Sequence, residues 1–141
     1  MKTKFVFTSH AGRMAEVRHN ARLFLKKCDF DEPSIELLVL GLDEACTNII
    51  RHAYGHDEKP VRLEIERLHD RVRFVLRDYG RACDPQCIRS RELEEVRPGG
   101  VGVYIIRQVF DYVKYEPRRR GTRLVLEKRF TTPEVLSNGE R

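Results

Sequence analysis

The sequence predicts an α+β protein, a two-layer sandwich in which helices cover one face of a mixed, mostly antiparallel sheet. Two long segments repeat apolar residues every three or four positions, whereas shorter segments alternate with a period of two. The length of 141 residues fits one domain. The element order β-α-α-β-β-loop-α-β-β favours a single sheet with its helices collected on one side.

The first third of the chain reads as a strand followed by two helices. Residues 2–8 form the strand. Residues 11–28 are predicted to form a helix, because their apolar residues occur in steps of three and four. Ser9 could cap the start of this helix. A longer helix is predicted from Ile35 to near Tyr54, where Gly55 would end it.

After this helix, the apolar residues recur at every second position instead of every third or fourth. Alternating apolar residues before and after the turn at 69–70 predict an antiparallel hairpin. Residues 88–100 show little periodicity and read as a charged loop. A helix is expected after Gly102, then strands over 112–115 and 122–130. We expect residues 1–130 to form the domain and residues 131–141 a flexible tail.

Composition excludes some classes of protein. Apolar residues make up 40% of the chain, and no apolar run is long enough to cross a bilayer. The N-terminus lacks the pattern of a signal peptide, so we expect a cytoplasmic protein with no membrane contact and with reduced cysteines. The net charge of +5 favours an acidic partner, a phosphate ligand or a nucleic acid.

Four short segments carry residues suited to chemistry. Glu44 and Asn48 are four apart on the long helix and therefore share a face. The carboxylate can accept a proton and the amide oxygen can bind Mg²⁺, although an exposed polar stripe would look the same. Asp78 ends a strand, and Gly80 would let the backbone approach a flat ligand, although an ordinary turn would fit as well.

The other two segments are a glycine-rich turn and a strand start. Arg97-Pro98-Gly99-Gly100-Val101-Gly102 precedes a helix, where free N–H groups and the helix dipole can hold phosphate. The segment is neither a Walker A loop nor a dinucleotide fingerprint. Thr122, entering the last strand, could line the floor of a pocket.

Taken together, these segments resemble the four boxes of the Bergerat (GHKL) ATP-binding fold found in gyrases, histidine kinases and MutL proteins. The first box is Leu42-Asp43-Glu44-Ala45-Cys46-Thr47-Asn48, followed by His52-Ala53-Tyr54-Gly55. Asp78-x-Gly80-x-x-x-Asp84-Pro85 and Gly99-Gly100-Val101-Gly102 continue the pattern. The chain is most similar to the small anti-sigma factor serine kinases of the RsbW and SpoIIAB type.

The resemblance implies a role for each matching residue. Glu44 would be the general base that takes the proton of a substrate serine, and Asn48 would bind Mg²⁺ against the phosphates of ATP. Asp78 would accept a hydrogen bond from the adenine amino group, above Gly80, with Thr122 closing the adenine side. The remaining residues would contact phosphate: Gly99, Gly100, Gly102 and, from a lid over residues 89–97, Arg97.

The function implied is an ATP- and Mg²⁺-dependent serine/threonine protein kinase of the partner-switching type. Its substrate would be a STAS-domain anti-sigma factor antagonist, and its other partner a sigma factor or another output protein. The family implies a homodimer. We expect no direct contact with nucleic acid, because no aromatic residues are interleaved with the basic ones to stack on bases. One alternative is a nucleotide-binding module that sequesters a partner without turnover; another is a basic nucleic-acid-binding protein.

Overall fold

The computed structural model describes residues 1–8, 13–51, 59–80 and 101–130. Within them the predicted order of elements is present. The elements are β1 (Lys2–Thr8), α1 (Met14–Lys26), α2 (Glu32–Ile49), β2 (Pro60–Arg67), β3 (Arg71–Asp78), α3 (Val101–Val109), β4 (Tyr112–Pro117) and β5 (Thr122–Arg129).

The five strands form one sheet in the order β1-β2-β3-β5-β4. Every pairing among the described strands is antiparallel, with Leu63 opposite Leu76 and Phe74 opposite Leu126 near the centre. Period-two alternation places these apolar residues on one face, where they are fully buried under the helices. The opposite face, called here the open face, carries mostly charged side chains.

The helix boundaries can be compared with the prediction only within the described residues, where α1 ends at Lys26 rather than at residue 28 and the start of α2 falls in the turn or helix start expected over 31–34. The described part of α1 begins at Met14, and its cap residue Arg13 makes no side-chain capping bond. Ser9 lies outside the described residues. α2 begins at Glu32, where the Asp31 side chain accepts a hydrogen bond of 2.9 Å from the backbone N–H of Ser34.

Two further predictions fall at boundaries. The regular part of α2 ends at Ile49, and the predicted end near Tyr54 and Gly55 lies outside the described residues. α3 already includes Val101, so Gly102 lies in its first turn rather than before it. The predicted tail over 131–141 is likewise outside the described part.

A close contact joins α2 to the end of α3. A Cβ atom added to Gly41 of α2 would lie 2.8 Å from Cε2 of Phe110 and 3.0 Å from Cγ1 of Val109. The two helices can approach this closely because Gly41 has no side chain. On its other side, α2 is tied to α1 by a 2.8 Å ion pair between Arg18 and Asp43. Among the described helices, none combines the length and apolarity required to cross a bilayer.

Candidate functional site

Buried polar residues mark the candidate site. Only four polar or charged residues of the described part are buried. Three of them, Asn48, Asp78 and Thr122, are residues that the sequence analysis assigned to ligand binding. The fourth, Glu127, lies on the open face between two arginines. The interior between the two layers is therefore polar at the predicted site and apolar elsewhere in the described core.

Asp78 lies at the end of β3 and is only 1% exposed. It follows the buried Leu76 by two positions, so it faces the helical layer. Its Oδ1 atom accepts a hydrogen bond of 3.2 Å from the backbone N–H of Gly80. This bond orients the carboxylate and brings Gly80, which is also buried, to the same place.

Gly121 is packed directly against Asp78. A Cβ atom on Gly121 would lie 2.2 Å from the carbonyl oxygen of Asp78 and 2.4 Å from its Oδ1 atom. Gly121 also has a φ of 73°, a conformation that favours glycine. The turn into β5 therefore needs glycine, both for its positive φ and because no side chain fits against Asp78. This close contact places Thr122 beside the end of β3.

Thr122 carries a buried hydroxyl group that has no hydrogen-bond partner among the described residues. The residue is 1% exposed and faces the helical layer, two positions before the buried Leu124. A buried polar group without a partner costs about 1–3 kcal/mol. Such a group is well suited to a polar ligand, which would supply the missing partner.

Glu44 and Asn48 lie one turn apart on α2, as the spacing predicted. Asn48 is buried, whereas Glu44 is half-exposed. Glu44 forms no ion pair or hydrogen bond with the described residues, but its neighbour Asp43 is held by Arg18. Of these two adjacent carboxylates, Glu44 is therefore the one available to accept a proton.

Arg51 is a candidate site residue that the sequence analysis missed. Its guanidinium donates a short hydrogen bond of 2.5 Å to the side-chain oxygen of Asn48. That oxygen is the atom expected to bind Mg²⁺, so the positive charge of Arg51 lies next to the expected metal position. The three-residue spacing between Asn48 and Arg51 on a helix was the available signal.

The glycine-rich turn is only partly described. Gly102 lies in the first turn of α3, close to the helix N-terminus, where backbone N–H groups lack helical partners. Arg97, Gly99 and Gly100 lie outside the described residues, as does the predicted lid over 89–97. Their proposed contacts with phosphate stay predictions.

The described residues fit the chemistry of ATP in two places. A buried carboxylate with an oriented acceptor atom, next to an unpartnered hydroxyl, can bind the polar edge of a purine base. An amide oxygen beside an arginine suits a magnesium-bound phosphate chain, and so does the N-terminus of α3. Asp78, Thr122 and Asn48 are all buried, and Asp78 and Thr122 are joined through Gly121.

Comparisons with known proteins agree with this fold. The Histidine kinase-like ATPase domain matches residues 7–128. The serine-protein kinase RsbW of Staphylococcus aureus is 26% identical over 117 residues, which cover 76% of this chain and 73% of the relative.

Two solved structures have the same fold. The structure of the RsbU and RsbW domains of Rv1364c from Mycobacterium tuberculosis aligns with a TM-score of 0.70 at 18% identity, covering 94% of this chain and 33% of that one. The histidine kinase domain of Erythrobacter litoralis EL346 aligns with a TM-score of 0.60 at 15% identity, covering 92% and 65%. Within both solved chains, the aligned region is thus less than two thirds of the whole. By the match over 7–128, this chain belongs to the histidine kinase-like ATPase domain family.

Proposed function

We propose that this protein is an ATP- and Mg²⁺-dependent serine/threonine protein kinase of the anti-sigma type. The observation that carries the proposal is the set of buried polar residues Asn48, Asp78 and Thr122, with the Thr122 hydroxyl left unpartnered. The similarity to a serine-protein kinase RsbW supports the same activity. The substrate would be a serine of a STAS-domain anti-sigma factor antagonist, and the competing partner a sigma factor or another output protein.

The residues divide the work of the reaction between binding and proton transfer. Bound ATP supplies the phosphoryl group, and Mg²⁺ neutralises the charge on its phosphates. Asp78 and Thr122 would hold the adenine, and the Asn48 oxygen would bind the metal. Glu44 would accept the proton of the substrate hydroxyl by virtue of its position, because phosphoryl transfer depends more on alignment than on a strong base.

Phosphotransfer from labelled ATP to STAS-domain proteins of the source genome tests this function. We expect one of them to be phosphorylated on serine. Glu44→Gln should abolish transfer while keeping Mg-ATP binding, and Asn48→Ala should lose both. Asp43→Asn is the matched control, because it changes the adjacent carboxylate of the same helix. Transfer by Glu44→Gln at the rate of the unmodified protein would show that the base is wrongly assigned.

The same experiment separates the kinase from the main alternative. Saturable binding of Mg-ATP with no transfer to any STAS-domain protein would favour a module that sequesters its partner without turnover. Sedimentation of the full chain would test the proposed homodimer. If Mg-ATP does not bind even at millimolar concentration, the assignment of an ATP-binding pocket is wrong.

A further inference from the structure

Three arginines stand side by side on the open face of the sheet. The strand registers place Arg62 of β2 opposite Arg77 of β3, and Arg77 opposite Arg123 of β5. Because neighbouring strands are about 4.8 Å apart, the three residues form a line of roughly 10 Å. We call Arg62, Arg77 and Arg123 the arginine row.

The row differs from most of the same face, where opposite charges are paired. Arg71 also lies opposite Arg129, but Arg71 is paired with both Asp70 and Glu127. Lys4 pairs with Glu64, and Arg73 pairs with Glu127. In the row, by contrast, arginine faces arginine twice, and like charges directly opposite each other on neighbouring strands are destabilising. The arginines of the row therefore repel one another, and an anionic ligand would remove this repulsion.

The contacts of the row orient its guanidinium groups but leave most of their charge unneutralised. The guanidinium carbon of Arg77 lies 4.5 Å from the centre of the Tyr79 ring, and the guanidinium donates a hydrogen bond to the carbonyl oxygen of Asp78. Neither the ring nor the carbonyl group carries a negative charge. Arg123 is paired with Glu116 at 2.7 Å. Arg62 is exposed and forms no ion pair with the described residues.

The row also lines a shallow cavity of about 200 Å³. Its walls are Arg62, Arg77, Arg123, Glu64, Val75 and Tyr79. A cavity of this size admits one or two carboxylate groups. The planar guanidinium favours such groups, because it can bind a carboxylate through two parallel hydrogen bonds.

We propose that the arginine row is a docking site for an acidic segment of a partner protein, with carboxylates of the segment bound by Arg62, Arg77 and Arg123. A protein segment fits better than a nucleic acid, because the face of Tyr79 that could stack on a base is covered by Arg77. This site lies on the opposite face of the sheet from the proposed ATP site, so it does not depend on the proposed function.

Titration of the ¹⁵N-labelled full chain with a deca-glutamate peptide tests the proposal. We expect chemical-shift changes at the row, including the side-chain Nε–Hε signals of its arginines. Arg62→Glu should weaken peptide binding about tenfold or more, and Arg62→Gln should weaken it less. Lys2→Glu is the matched control, because it makes the same charge change on the same face of the sheet, beyond the row. The control should change affinity by less than about twofold.

Several results would overturn the docking site. The first is an equal loss of affinity in Arg62→Glu and Lys2→Glu, which would indicate only long-range attraction. Others are a lack of peptide binding at low salt, and shift changes located away from the row. Tighter binding of oligothymidylate than of the peptide at the row would assign it to nucleic acid instead. Mg-ATP binding measured on the same samples keeps this result separate from the ATP proposal.

Discussion

The backbone of Gly121 lies against the carboxylate of Asp78. No side chain fits between them, since a Cβ atom on Gly121 would be 2.4 Å from Oδ1 of Asp78 and 2.2 Å from its carbonyl oxygen. The end of β3 and the start of β5 can therefore approach this closely only because Gly121 has no side chain. This contact joins the two residues expected to bind adenine, Asp78 and Thr122.

Gly121→Ala should lower both stability and nucleotide affinity. The φ of 73° costs an alanine about 1–2 kcal/mol, and the overlap with Asp78 adds to that. Relief of the overlap must move the carboxylate, so Mg-ATP affinity should fall at least about tenfold. Calorimetric titration and thermal unfolding measure the two effects. Arg120→Ala, at the exposed neighbouring residue, is the control and should change neither.

Thr122→Val should have opposite effects on stability and on binding. Valine keeps the shape of the side chain but removes the buried hydroxyl that lacks a partner. The unliganded protein should therefore become more stable, by about 1 kcal/mol, while Mg-ATP binds more weakly. Thermal unfolding with and without nucleotide measures both quantities, and Thr122→Ser is the control that keeps the hydroxyl. If the valine variant is less stable without nucleotide, the hydroxyl does not destabilise the unliganded protein and the prediction is wrong.

Arg51→Gln should weaken Mg-ATP binding about tenfold, because a hydrogen bond from a charged donor contributes about 1.5–3 kcal/mol. The arginine contacts the Asn48 oxygen, so its charge would lie close to the phosphates. Arg22→Gln is the matched control, since Arg22 pairs with Glu36 on the exposed surface of α1 and α2. Equal affinities of the two variants would remove Arg51 from the site. Fluorescence titration with a labelled ATP analogue provides the measurement.

Glu127 should make stability depend on pH in the acid range. Burial acts to raise its pKa, but hydrogen bonds from Arg73 and Arg71 outweigh burial, so the pKa lies below its ordinary value of 4.5. The lowered pKa means that Glu127 contributes stability above about pH 4.5, and that this contribution is lost as pH falls through the folded-state pKa.

Glu127→Gln should remove that part of the pH dependence. The variant should be less stable by about 1–2 kcal/mol at neutral pH, because the two arginines lose their charged acceptor. The difference from the unmodified protein should shrink as the pH falls below 4.5. Urea unfolding at a series of pH values measures this difference, and a constant difference across the series would contradict the assignment.

Burial should keep Cys46 unreactive in the folded protein. The thiol is 1% exposed, and desolvation raises its pKa well above the ordinary value. The prediction is that Cys46 resists alkylation at neutral pH and reacts only on unfolding. Mass spectrometry of peptides after brief iodoacetamide treatment, with and without urea, identifies the modified cysteines.

Local patterns in the sequence were sufficient for most of the fold. The strand from 2 to 8, the hairpin and both long helices were predicted because periods of two and of three to four are visible within one element. Boundaries were less accurate. The sequence predicts that Gly102 precedes α3, yet Gly102 lies in the first turn, because a glycine is compatible with a helix start as well as with the turn preceding it.

The residues of the candidate site were predicted from four short motifs, and three of them, Asn48, Asp78 and Thr122, are buried. Arg51 was missed because an arginine at a helix end reads as an ordinary surface residue. Only its contact with Asn48 distinguishes it. The proton-accepting role of Glu44 stays a prediction. So do the ligand contacts of the other site residues: Asn48, Asp78, Gly80, Arg97, Gly99, Gly100, Gly102 and Thr122.

The sequence by itself determined the element types and the residues of the motifs, since each of these depends on spacing within one short segment. The order of the elements along the chain also favoured a single layer of helices. Tertiary structure alone decided which distant residues meet. The register of β2, β3 and β5 aligns Arg62, Arg77 and Arg123, and the turn before β5 presses Gly121 against Asp78. Strand register depends on how a whole sheet packs its apolar face against the helices, and that is a property of the folded chain rather than of any one segment.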